Sequence, residues 1–179
     1  YMFYNALVFN QSLNAWNTGN VLNMTYMFYG AAEFNVAISD WNVGRVTNMD
    51  YMFRRASVFN QMIGSWDVSS VTTIRDMFHF AEDFNQPLED WDVSSVVNMQ
   101  GMFLGAYNFN QPLNNWGSKT ANVTNMSYMF YEAHYFSQPL DNWDVSNVTD
   151  MRNMFYNADF FNQDLSGWCV SQIASEPVE

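Results

Sequence analysis

Val46–Ser70, VTNMDYMFRRASVFNQMIGSWDVSS, is one unit of a repeat that fills nearly all of a 179-residue chain. Tryptophans stand at Trp16, Trp41, Trp66, Trp91, Trp116, Trp143 and Trp168, in steps of 25, 25, 25, 25, 27 and 25. A Met-Phe pair keeps the same frame and ends on Phe3, Phe28, Phe53, Phe78, Phe103, Phe130 and Phe155. An alanine (Ala6 to Ala158), a second phenylalanine (Phe9 to Phe161) and an aliphatic residue three before each tryptophan (Leu13 to Leu165) follow suit. Such self-similarity marks stacked units, each burying its apolar face only against neighbours. The seven tryptophans and Phe28, Phe53, Phe78, Phe103, Phe130 and Phe155 are therefore the expected core, as are the methionines, Met62 included.

The unit divides into two halves. Val46, Met49, Met52, Phe53, Ala56 and Phe59 recur at steps of three and four, which predicts a short amphipathic helix. Asn48 is placed to cap its N-terminus, and Asn23, Asn98 and Asn125 match it. Ile63-x-x-Trp66-x-Val68 ends in alternation, which predicts a short strand, with Pro87, Pro112 and Pro139 at strand starts. A period of about 25 is too short for helix-pair repeats but suits strand-plus-helix leucine-rich repeats. The expected fold is thus an α/β solenoid of leucine-rich-repeat type: about seven 25-residue turns, each with a short helix and a strand in a parallel sheet. An all-β solenoid is the alternative.

The runs Phe84–Phe103 (FNQPLEDWDVSSVVNMQGMF) and Phe136–Phe155 (FSQPLDNWDVSNVTDMRNMF) resemble the bacterial surface protein 26-residue repeat family, related to BspA-like leucine-rich repeats. The resemblance spans essentially the whole chain. It implies an extracellular or cell-surface protein with adhesion or recognition as its role, and brings no catalytic residues. Similar arrays often end in W-C-V with a second cysteine further on, which implies a capping disulfide from Cys169 to a partner beyond Glu179. The alternative is a lone thiol packed as a small residue.

The whole of 1–179 reads as a single array, cut from a longer one, with its C-terminal boundary near 168–179. No apolar run reaches the roughly 18 residues of a membrane span. There are 18 acidic residues against 6 basic ones, a net charge of −12. That disfavours nucleic acid, whose phosphates need lysine and arginine, and leaves solubility or a basic partner.

Candidate sites come from the positions beside each tryptophan. Asp67, Asp92 and Asp144, stacked one unit apart, are expected to form an acidic column on the inner face. A calcium ion takes oxygen ligands of this kind, but needs several converging on one point; no metal site and no cofactor is assigned. The two extra residues between Trp116 and Val123 hold the lone lysine, Lys119, in a tolerated bulge or in a loop on a binding face. The Asn-Gln pairs (Asn10-Gln11, Asn60-Gln61, Asn85-Gln86, Asn110-Gln111) are expected to satisfy backbone groups. Tyrosines beside the Met-Phe pairs fall off the buried stripe and are expected to be partly exposed. His79 and His134 occupy different template positions, and no nucleophile–base set or phosphate loop is present. The expectation is a non-enzymatic surface module binding protein or glycan; the alternative is a structural spacer, self-associating end to end.

Overall fold

The computed structural model describes residues 1–173; the segment 174–179, into which the expected array boundary extends, lies outside them. Apolar residues at steps of three do pack together here, but through tight turns. In the unit starting at Val46, backbone N–H groups of Met52, Arg54, Ala56, Phe59, Trp66 and Val71 each donate to the carbonyl three residues earlier. Between these, Met49, Tyr51, Phe53 and Arg55 donate to Thr73, Arg75, Met77 and His79 of the following unit, at 2.8–3.1 Å. Alternate amides thus close a turn or tie to the next layer. That accounting leaves the helical i→i−4 pattern no donors.

The turns demand a left-handed residue. In Met49–Met52 and Phe53–Ala56 the third residue has positive φ, Tyr51 at 59° and Arg55 at 60°, the mark of a type II turn. Other units match it with Tyr26, Asp76, Gly101 and Tyr128, or with Gly30, Phe80, Gly105 and Glu132. An α-helix cannot pass through such residues.

The expected α/β solenoid of leucine-rich-repeat type is therefore corrected. Among the described residues the one helix is a short 3-10 segment, Asn114–Thr120, which spans the inserted stretch. Among the described residues no strand forms; single parallel bridges join Asn23, Asn48, Thr73, Asn98, Asn125 and Asp150 in sequence, one residue per layer. Asn48 caps a turn and not a helix, since its Oδ1 accepts the N–H of Asp50 two residues on at 2.8 Å. The expected strand at Ile63–Val68 is instead a turn, Trp66 N–H to the Ile63 carbonyl at 3.1 Å. A turn and a helix both bring residues i and i+3 together, so the apolar spacing was satisfied by either.

The core is a set of side-chain ladders. Phe28, Phe53, Phe78, Phe103 and Phe130 stack with centroids 5.5–5.8 Å apart. Each also stacks on the second phenylalanine of its own layer, as Phe78 does on Phe84 at 4.0 Å. Val46, Met49, Met52, Phe53, Ala56 and Phe59 are all fully buried. Trp41, Trp66, Trp91, Trp116 and Trp143 are buried, whereas Trp16 is 38% exposed and Trp168 and Phe155 are half-buried. Two methionines leave the expected core: Met2 in the first layer, and Met62 at 69% exposure. Met62 occupies the slot that Pro87 and Pro112 fill in later units, where the side chain points outward.

Candidate functional site

The residue after each tryptophan opens a second turn. Asp67 Oδ1 accepts the backbone N–H of Ser69 at 3.1 Å and its hydroxyl at 2.6 Å. Asp92 accepts the N–H of Ser94 at 3.1 Å, and Asp144 the N–H and hydroxyl of Ser146 at 3.1 and 2.7 Å. Asn17 and Asn42 make the same bond to Gly19 and Gly44. The serine side-chain hydrogen bonds, then the backbone ones, hold the Asp67, Asp92 and Asp144 carboxyls below the usual range. These aspartates stay ionised at neutral pH, Asp67 and Asp92 exposed and Asp144 half-buried, while one oxygen of each serves the turn.

The structure brings Lys119 to this column. Its Nζ lies 3.5 Å from the Trp91 carbonyl, and its charge further lowers the Asp92 carboxyl. The insertion is compact: Gly117 takes φ 40°, and the fully buried Thr120 hydroxyl lies 2.9 Å from both the Gly117 and the Asp144 carbonyls. Asp67, Asp92, Lys119 and Asp144 therefore line one edge, in layer order. Among the described residues no group of three or more His, Cys, Asp or Glu side chains is gathered to hold a metal ion. Cys169 is exposed, with Sγ 3.8 Å from the Ser171 hydroxyl.

The Asn-Gln pairs form a ladder between layers. Asn60 N–H donates to Asn35 Oδ1 at 2.9 Å, and Asn85 and Asn110 repeat the bond to Asn60 and Asn85 at 3.0 Å. Gln61, Gln86 and Gln111 donate to the same oxygens at 2.8–3.0 Å. Asn35, Asn60 and Asn85 also line a shallow open groove of about 450 Å³ with Val58, Asp83 and Asn108.

Sequence reasoning missed a buried ion-capable pair. Asp76 and His79 stand at the first and fourth positions of one turn, and His79 Nδ1 lies 2.5 Å from Asp76 Oδ1, with both residues buried. Burial lowers the His79 pKa, against the opposing pull of Asp76. The signal was the departure from template: most other units put tyrosine in these slots, with Gly101, Asn153, Arg54 and Leu104 as the remaining occupants, and this one puts two chemical partners three apart.

A model of the family described as Mycoplasma protein of unknown function, DUF285, matches residues 1–91 and again 84–177. The chain belongs to this family. No curated protein and no solved structure matches it. The two successive matches agree with the tandem repeat; they carry the repeat family and do not extend to leucine-rich repeats of the BspA-like type. No helix among the described residues is long and apolar enough to cross a membrane.

Proposed function

We propose that this chain is a non-enzymatic recognition or adhesion module displayed outside the cell, holding a protein or glycan partner on its layered flank. One observation carries the reading. The aromatic ladders hold most large apolar side chains inside, while the edge that turns outward sets Asp67, Asp92, Lys119 and Asp144 in register, each aspartate fixed by its own turn and Lys119 by the Trp91 carbonyl of the preceding layer. Side chains held in fixed geometry lose little freedom on binding, which favours recognition. Kinship with BspA-like surface repeats is part of this proposal, on the sequence motif of Phe84–Phe103 and Phe136–Phe155 and separate from strand-and-helix geometry. The partner is a basic or polyhydroxylated surface, since the net charge of −12 repels nucleic acid.

The test is binding of the purified array to intact host-type cells and to a glycan array, for the native chain and for Asp67→Asn, Asp92→Asn, Asp144→Asn and Lys119→Gln. Weakened binding by the aspartate variants supports the edge. Unchanged binding by all four removes this edge from the reading.

The structural-spacer reading is favoured by a different observation. Every layer ties to the next through the same backbone bonds, such as Thr72 N–H to the Thr47 carbonyl and Thr149 N–H to the Thr124 carbonyl, both 2.9 Å. Nothing in that pattern limits the number of layers. Concentration-dependent growth in sedimentation supports this reading, and a single monomeric species at all concentrations opposes it.

A further inference from the structure

Two columns of stacked tyrosines run along one side of the early layers, and each ends on a guanidinium. Tyr26 and Tyr51 stack with centroids 4.5 Å apart, and Arg75 Cζ sits over Tyr51 at 4.7 Å from its centroid. In the neighbouring column, Arg54 follows Tyr29 and lies 5.8 Å from that ring and 5.6 Å from Tyr51. Both guanidiniums therefore crowd one aromatic ring. The Nε of each is buried with no acceptor, and among the described residues the one arginine ion pair is Arg152–Asp150. In a chain with 18 acidic groups against 6 basic ones, two fixed cations without a carboxylate partner stand out. A buried donor left without an acceptor carries its full desolvation cost and asks for an explanation.

Two carboxylates of these layers each have one oxygen engaged elsewhere, and neither forms an ion pair with Arg54 or Arg75. Asp50 accepts the Thr73 hydroxyl at 2.5 Å and the Arg75 backbone N–H at 2.8 Å. Asp76 faces His79 at 2.5 Å. Arg54 and Arg55 both bear electrostatically on His79. The whole chain still repels polyanions.

We propose that Arg54 and Arg75, with the outward edges of Tyr29 and Tyr51, bind a single carboxylate or sulfate carried on an otherwise neutral saccharide. Ring faces stacked on guanidinium leave the terminal Nη–H edges for an oxyanion, the buried Nε–H being closed to an outside ligand. Stacking uses the tyrosine faces, so each column presents a row of phenol hydroxyls, which match the hydroxyls of a sugar. This deepens the recognition reading by adding a second face with its own ligand chemistry.

The native array is titrated with a glucuronate-ended trisaccharide, its methyl ester, a sulfate-ended counterpart and an acetylated tri-aspartate peptide. Arginine Nε–Hε resonances are followed alongside calorimetry. The acidic sugars are expected to shift the Arg54 and Arg75 signals, with the ester about tenfold or more weaker, the worth of one charge-assisted bond. The double variant Arg54→Gln/Arg75→Gln is expected to lose a similar factor with its near-UV dichroism intact. If that variant does not fold, the shifts in the native chain decide. Equal binding of acid and ester, no movement of either arginine signal, or tighter binding of the peptide overturns the site. A double variant that still binds cells as the native chain does removes this site and keeps the recognition reading. A native chain that binds acidic sugar but no cell surface does the reverse.

Discussion

The indole Nε1–H of Trp91 donates to the Ile63 carbonyl of the preceding layer at 3.1 Å, both residues fully buried. The same bond joins Trp66 to Ile38 at 3.2 Å, Trp116 to Leu88 at 2.9 Å and Trp143 to Leu113 at 3.0 Å. It ties the fixed aliphatic-x-x-Trp spacing to one purpose: the aliphatic carbonyl that closes the turn of one layer also accepts the indole of the next, Ile63 taking both the Trp66 N–H and the Trp91 indole. Trp91→Phe keeps most of the apolar bulk and removes the second of these bonds. It is expected to cost about 0.5–1.5 kcal/mol, the net worth of one buried hydrogen bond, read as a lower urea midpoint. Trp16 is 38% exposed, and Trp16→Phe is expected to stay within about 0.5 kcal/mol of the native chain. Equal losses at both positions would mean that ring volume matters and the hydrogen bond does not.

Arg55 and Gly105 occupy the same left-handed slot in different layers, with φ of 60° and 62°. A Cβ added to Gly105 would run into the Phe80 ring of the layer beneath. Gly105→Ala is expected to destabilise by about 1–3 kcal/mol, from left-handed strain plus crowding. Arg55→Gly removes the strain but loosens the unfolded chain, so the expected change is between zero and about 1 kcal/mol of gain. Thermal unfolding of the two variants side by side checks the opposite signs.

The repeat, its period and its stacked positions were legible in sequence because each depends on residue identity at a fixed step; Asn48 was legible as a side chain serving nearby backbone N–H groups, but at a helix end that does not form. The turn geometry was not. Met49, Met52, Phe53, Ala56 and Phe59 sit where a helix would put them, and their burial is as a helix would give. What separates the two structures is the backbone sign at Tyr51 and Arg55, and neither residue type advertises a left-handed conformation. Gly30, Gly101 and Gly105 in the matching slots were the available clue. The same applies to the candidate sites. The register of Asp67, Asp92 and Asp144 follows from the period, but the approach of Lys119 to Trp91 depends on how the insertion folds.

Ser69 holds the Asp67 carboxyl low through its hydroxyl first and its backbone N–H second. Ser69→Ala removes the larger cause and keeps the smaller one. The Asp67 pKa is expected to rise toward its ordinary value of 3.8, followed by carboxyl carbon shifts in an NMR titration. A depressed carboxylate pKa adds stability that is present above about pH 4 and lost as pH falls through the folded value. The native array is therefore expected to lose more stability than Ser69→Ala as pH drops below about 4. The carboxyl is largely solvent-screened, so the difference is small and is best read from the pKa itself.

His79 is buried against Asp76, and burial outweighs the carboxylate, so its folded pKa lies below the ordinary 6.5. The unfolded chain then takes up a proton on this histidine before the folded chain does. The sign follows: the contribution to stability is whole above about pH 6.5 and drains away as pH falls toward the folded value. Melting temperature is expected to fall between pH 7 and 5, and His79→Gln is expected to flatten that part of the profile. His134 pairs with Asp159 on the surface at 2.7 Å, so His134→Gln serves as the comparison and is expected to leave the His79 slope in place. The native slope surviving in His79→Gln would place the proton uptake elsewhere.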